Sequence, residues 1–286
     1  RLRSRFSAFT SRSGNMPRQL FLVLGLLAAL IVAPVAARAD ENGALAAIIK
    51  AGAVKIAVPD NFAPFGTLGA DGKLQGYDID TAALVAGSLG VKPELVAVPS
   101  PERIQALTDG KVDLVISTLG KNAEREKLID FSTAYAPFFS AVFGPKDLTV
   151  TKPDDLAGKS IAVTKNTIED AVLTKLAPAS ATIKRYDDNA ATEVAFLSSQ
   201  TELIATGNAV ASDVLAKSLV KKTVLKFVLR NSPCYIGVSK EQPDLLARVD
   251  AILAAARTDG KLDAISRKWL KAPLGDPEHP DLASVK

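Results

Sequence analysis

The chain is short of the residues that most catalytic chemistry uses. Its 286 residues include one cysteine, Cys234, and one histidine, His279. A single cysteine closes no intrachain disulfide and builds no metal cluster. Cys234 opens the apolar run Cys234-Tyr235-Ile236-Gly237-Val238, which reads as a strand, where a thiol behaves as a small buried hydrophobe. His279 lies in a polar tail and reads as solvated. Histidine catalysis and histidine-rich metal sites are therefore excluded, and no cofactor is expected. A strong charge of one sign is also missing: the formal net charge is +4. Outside the first twelve residues Lys and Arg are scattered singly or in isolated adjacent pairs such as Lys221-Lys222. With no basic stripe interleaved with aromatics, nucleic acid is not an expected partner.

What is present is ample apolar material, 48% hydrophobic against 23% charged, enough for one large domain or two medium ones. Met16-Pro17-Arg18 precedes an apolar run from Leu20 to Ala33. Pro34 breaks the run, small residues end at Ala37-Arg38-Ala39, and Asp40 starts a polar stretch. A charged start, an apolar middle and an A-x-A end describe a cleaved signal peptide over residues 16–39. The run is shorter than the roughly 20 residues that span a bilayer. No cysteine stands near the cleavage point to carry a lipid. A mature chain starting near Asp40 and free in the periplasm is expected. Residues 1–15 precede the initiator Met16 in this reading and carry no fold expectation.

From Ala53 onward one pattern occurs twice. Strands are predicted at 54–58, 94–98 and 112–117, with helices at 78–90 and 101–109 between them. Alternating β-branched residues mark the strands; apolar spacing and a following Gly mark the helices. After Gly144-Pro145 the pattern returns, with strands at 160–164, 181–186 and 202–206 and helices at 167–176 and 191–199. Strands alternating with short helices predict two parallel α/β sheets, hence two lobes. A last strand, 235–238, and helices at 244–256 and 262–270 are too little for a third domain and are assigned back to lobe one. The expected divisions are 40–142 for the first part of lobe one, 143–230 for lobe two, 231–271 for the return segment and 272–286 for a polar tail. The chain then crosses twice between lobes, near Phe139–Lys146 and near Phe227–Pro233, which makes a hinge and a cleft. Ligands of open α/β sheets bind beyond the carboxyl ends of the strands.

Several stretches resemble the family 3 solute-binding proteins, the polar amino-acid receptors of ABC importers. Gly76-Tyr77-Asp78-Ile79-Asp80 is similar to that family's G-[FY]-D-[IV]-D signature. Phe62-Ala63-Pro64-Phe65 resembles its aromatic-x-P-F loop. The stretch from Asp113 to Arg125 (DLVISTLGKNAER) resembles D-x-I-x-S-x-[LM]-[ST]-x-[TN]-x-x-R. Phe131-Ser132-Thr133-Ala134-Tyr135 is similar to F-S-x-x-Y, and the closing Gly260-Lys261-Leu262 to Lys268-Trp269-Leu270 to the last helix. The ordered set spans about Ala53 to Ala272. It implies a type II periplasmic-binding-protein fold, two α/β lobes on a two-strand hinge, and a monomer that passes a small ligand to an inner-membrane ABC permease. It implies a binding protein and not an enzyme.

The resemblance also implies a ligand site. Asn122 suits an N-cap and puts Arg125 early in a helix; the resemblance gives its guanidinium to the ligand α-carboxylate. Ser117 and Thr118 end a strand at the cleft, with Gly120 just beyond, and Phe62 falls on the aromatic wall. In lobe two Thr164, Asn166, Thr167 and Ile168 form a turn and a helix start whose free amides suit an anion; Thr167 to Asp170 fits a capping box. Relatives place an Asp five residues after an acid in the last lobe-two strand to pair the ligand amino group. Counting from Glu202 reaches Gly207, followed by Asn208. Gly120 stands where Ser or Thr is usual, and Asn166 where Gly is common. Asp187, Asp188 or Asp213 could carry the missing charge; Asn208 and carbonyls could bind a neutral group; or the ligand could lack the α-amino group. The alternative function is a cyclohexadienyl dehydratase-like enzyme, which needs a general acid; Glu169 and Asp60 are the nearby carboxylates.

Overall fold

The computed structural model describes residues 43–211 and 222–279. The signal-peptide reading over 16–39, Asp213 and the end of the tail lie outside the described residues. After a short helix, Ala44–Ala51, the first sheet starts with β1 (Ala53–Val58). A small antiparallel sheet follows, β2 (Asn61–Phe62), β3 (Gly66–Leu68) and β4 (Leu74–Gln75), and then the helix Tyr77–Leu89. Next come β5 (Lys92–Ala97), the helix Arg103–Thr108, β6 (Leu114–Leu119), the helix Ala123–Leu128 and β7 (Ile129–Ala136). All six residues of β6 are buried, because helices cover both faces of a parallel strand.

Lobe two holds β8 (Phe139–Pro145), β9 (Ser160–Thr164), the helix Ile168–Leu176, β10 (Thr182–Tyr186), the helix Asn189–Leu197, β11 (Leu203–Gly207) and β12 (Thr223–Asn231). The chain returns as β13 (Cys234–Ser239), followed by the helices Pro243–Thr258 and Lys261–Trp269. The sheets have strand orders β5-β1-β6-β13-β7 and β10-β9-β11-β8-β12. In each, four strands run one way and a single strand, β13 in the first sheet and β8 in the second, runs against them.

Two expectations are corrected. The sheets are mixed, not purely parallel, because β8 and β13 run against the other four strands of their sheets; β7 runs on to β8 and β12 to β13 with no helix between, so no helical periodicity marks these connections. The first crossing also falls earlier than Phe139–Lys146. Phe139–Pro145 is itself a strand, paired with β11 and β12 in the second sheet. The chain leaves the first sheet after Ala136 and returns to it at Cys234. The two crossings touch: the Ser232 amide donates to the Phe138 carbonyl at 2.9 Å.

The G-Y-D signature sits where two backbones meet. Gly76 has φ +145°, and a Cβ built there would stand 2.2 Å from the Phe65 carbonyl oxygen. The close approach lets the Tyr77 and Asp78 amides donate to the carbonyls of Pro64 and Phe65 at 3.0 and 2.9 Å. This ties the loop carrying Phe62 to the start of a helix. Gly76→Ala would combine a disfavoured φ with a backbone clash. A loss of at least about 2 kcal/mol is expected in the urea unfolding free energy; an unchanged midpoint would contradict the geometry.

Candidate functional site

The carboxyl ends of strands from both sheets meet in one cavity. Its lobe-one wall is Phe62, Ser100, Arg103, Thr118 and Gly120; its lobe-two wall includes Thr164, Thr167, Ile168, Glu169, Asn189 and Thr206. Phe138 and Ser232, one from each crossing, complete it. The lobes are closed on it, leaving a volume of only about 20 Å³. A wider groove of about 640 Å³ continues outward along the seam, past Arg125, Asn166 and Arg230. Asn189 Nδ2 donates across the seam to Ser100 Oγ at 3.0 Å.

Arg103 is the dominant charge in the cavity wall. It opens a helix directly beyond β5 and is 4% exposed. One terminal nitrogen donates to the Ser117 carbonyl at 2.6 Å and to Ser100 Oγ at 3.4 Å. Its Nε is buried without a partner. A buried donor left unmatched costs roughly 1–3 kcal/mol, more on a charged group, so this guanidinium is built to receive an acceptor. Burial pulls its pKa down, while Glu169 and then Asp78 push it back up.

Arg125 stands differently from the expectation. Asn122 does cap the helix, accepting from the Arg125 amide at 2.9 Å. The guanidinium, however, donates to the Gly120 carbonyl in lobe one and the Asn166 carbonyl in lobe two, both at 2.7 Å. It lines the outer groove and not the inner cavity. Burial, with Arg103 nearby, pulls its pKa down to about 9, so it stays cationic at neutral pH.

Of the other residues expected at the site, Phe62, Thr118, Gly120, Thr164, Thr167 and Ile168 line the cavity. Ser117 does not: strand alternation turns neighbours to opposite sides, and its hydroxyl is buried with no partner. Asn166 lines the outer groove, with φ +59°. Gly207 is walled off, since a Cβ there would lie 2.0 Å from the Phe138 ring. Asn208 turns to the hinge, its Oδ1 accepting from the Phe139 amide at 3.3 Å. Only half of the capping box forms as read. Thr167 Oγ1 accepts from the Asp170 amide, while Asp170 reaches the Asn166 amide and also pairs with Arg185. Phe65 packs in the core beside Tyr77 and Phe138.

Ser100, Arg103, Phe138, Asn189, Thr206 and Ser232 were not singled out from the sequence. A signal for Arg103 exists: an arginine at the first turn after a strand's carboxyl end, three residues after Ser100, has its charge at the ligand-facing edge of the sheet. It was hidden by the equally good reading of a surface helix. Glu169 was weighed only as a possible acid; it is 7% exposed and lines the cavity. Asp60, the other acid weighed, is not on the cavity wall.

Behind Thr118 lies a buried carboxyl. Thr118 takes φ +46°, strained for a β-branched residue. Its hydroxyl donates to Asp78 at 2.7 Å, and Tyr135 donates to the other oxygen at 2.6 Å. Asp78 therefore supports the cavity wall without lining it. Burial pushes its pKa up to about 7, despite the two hydroxyl donors.

Two α/β lobes, a cavity at facing strand ends and a hydrogen-bonded double crossing define a hinged solute binder. The chain belongs to the bacterial extracellular solute-binding proteins, family 3, whose pattern matches residues 54–272. It is similar to the L-cystine-binding protein TcyJ of Escherichia coli K12, 27% identical over 256 residues, 88% of this chain and 96% of the relative. The cysteine-binding protein of Campylobacter jejuni has a similar structure, with a TM-score of 0.76 at 26% identity, covering 82% of this chain and 95% of the other. The cyclohexadienyl dehydratase of Pseudomonas aeruginosa is 28% identical over 120 residues, 42% of this chain and 45% of the enzyme. The two relatives that span most of the chain are binding proteins.

The raised pKa of Asp78 has a consequence with a definite sign. Its ordinary value is 3.8 and its folded value about 7. Between these the folded chain keeps a proton that the unfolded chain has released, so stability falls as pH rises from about 4 to 7. Asp78→Asn should flatten that fall, read as unfolding free energy against pH; an unaltered slope would contradict the assignment.

Proposed function

We propose that this chain is the periplasmic receptor of an ABC importer, works as a monomer, and delivers an amino acid to an inner-membrane permease. The observation that carries the reading is the unpartnered, buried Nε of Arg103 in a cavity shared by both lobes. A guanidinium with a free edge matches a carboxylate, and the charge-assisted bond is strong where water is excluded. The names of the relatives, cystine and cysteine binders among them, support an amino acid as the ligand.

A cavity of about 20 Å³ is far below the few hundred that enclose a small molecule. Ligand therefore enters an opened cleft. In the proposed sequence it docks on lobe one, its carboxylate on Arg103 and its side chain on Phe62, beside Ser100 and Thr118. Lobe two then adds the hydroxyls of Thr164 and Thr167, Asn189 and the amides at the start of the helix Ile168–Leu176. Arg125 acts as the latch, tying Gly120 to Asn166 as the seam closes, in place of the direct carboxylate grip expected from its motif. Ligand favours closure only by as much as it binds the closed form better.

Thermal-shift screening against amino acids tests this, because a ligand of the native state raises its melting temperature. Arg103→Ala should lose about 2–4 kcal/mol of binding to the amino acid that stabilises the parent. Arg103→Ala binding as tightly as the parent would overturn the site.

The dehydratase reading has one observation in its favour: burial raises the pKa of Glu169, as a general acid requires. Incubation with prephenate and arogenate decides it. No product is expected; turnover lost in Glu169→Gln would establish the enzyme.

A further inference from the structure

We propose that Glu169 carries the negative charge that pairs the ammonium group of the bound ligand, taking over from the position held by Gly207. The inference rests on the reading above that the ligand is an amino acid.

Position 207 cannot hold an acid in this fold. A Cβ there would lie 2.0 and 2.2 Å from two atoms of the Phe138 ring, so no side chain fits while that ring forms the wall. Of the acids considered from the sequence, Asp213 lies outside the described residues and the other two are committed elsewhere. Asp187 is largely exposed and pairs with Lys165 at 2.6 Å, and Asp188 caps its helix by accepting from the Ala191 amide at 2.7 Å. Among the described residues, Glu169 is the one carboxylate on the cavity wall.

Its setting fits the role. It is the second residue of the nine-residue helix Ile168–Leu176, where the dipole favours an ionised carboxylate. It is as buried as the arginine facing it, 7% against 4% exposed. Among the described residues no ion pair joins the two, and Arg103 keeps its Nε free. A cavity with an unpaired cation on lobe one and a carboxylate on lobe two is complementary to a zwitterion. The carboxylate of the ligand meets lobe one and its ammonium meets lobe two, so closure completes the pairing. Burial drives Glu169 toward its neutral form, opposed first by its own amide and the Thr167 hydroxyl and then by Arg103 and Arg125; an ammonium in the cavity adds to that opposition. Phe138 closes position 207 to a side chain. Its ring occupies the space beside Gly207 and packs toward Phe62, with ring centroids 6.4 Å apart.

The test is isothermal titration calorimetry on the full chain with three pairs: L-cystine and 3,3′-dithiodipropionic acid, L-glutamine and glutaramic acid, L-glutamate and glutaric acid. The members of each pair differ only in α-amino groups, two in the cystine pair and one in each of the others. The parent should prefer the amino acid of at least one pair by tenfold or more, and Glu169→Gln should bring that ratio close to one. The ratio is read within one protein, so a partly unfolded variant lowers both members alike. Glu169→Asp, which keeps the charge, should restore part of the preference. A parent preference that survives Glu169→Gln would overturn the role of Glu169 and leave the cavity reading intact. A parent that binds no member of any pair, and that no other amino acid stabilises in the thermal-shift screen, would overturn the amino-acid reading and this inference with it.

Discussion

The site is organised around the problem of holding one guanidinium out of water. A buried charge is tolerated only when hydrogen bonds and counter-charges surround it. Arg103 donates to the Ser117 carbonyl and the Ser100 hydroxyl, and its Nε is buried without a partner. Its place follows from the fold: it begins a helix at the carboxyl end of β5, the edge where an open α/β sheet presents its loops. The second sheet meets it with Thr164, Thr167 and Glu169, from the equivalent edge of β9. Neither lobe alone satisfies this charge, which ties recognition to closure.

The hinge and the site share residues. Ser232 and Phe138 join the two crossings by a backbone hydrogen bond, and both face the cavity. Hinge rotation therefore moves the Phe138 ring relative to the ligand space and to Gly207. Across the seam, Arg125 bonded to the Asn166 carbonyl and Asn189 bonded to Ser100 connect the lobes away from the hinge. These contacts break when the cleft opens, so the closed state has its own small stabilisation, to which a ligand adds.

The two-lobed α/β plan was legible because the elements that define it, β1, β6, β9, β11 and the helices between, carry clear periodicity and glycine stops. The antiparallel strands were not. β7 and β8 are separated by only Pro137 and Phe138, with no turn signature that announces a change of sheet. In the site, the motif residues Thr118, Thr167 and Ile168 reached the cavity because strand ends and helix starts point there whatever the side chain. Asp78, inside the Gly76-Tyr77-Asp78 motif, braces Thr118 from behind. Arg103 reads as a surface charge and Glu169 as a first-turn helix acid, because a charged residue there is ordinarily solvated; both are buried on the wall between the lobes. That information is tertiary, and no local pattern carries it.

The most direct measurement is a crystal structure of the chain grown with the amino acid that stabilises it most. The account predicts closed lobes, the ligand carboxylate on the Nε edge of Arg103, and Arg125 still bonded to the Asn166 carbonyl. A carboxylate held instead by Arg125, with Arg103 out of reach of the ligand, would contradict it.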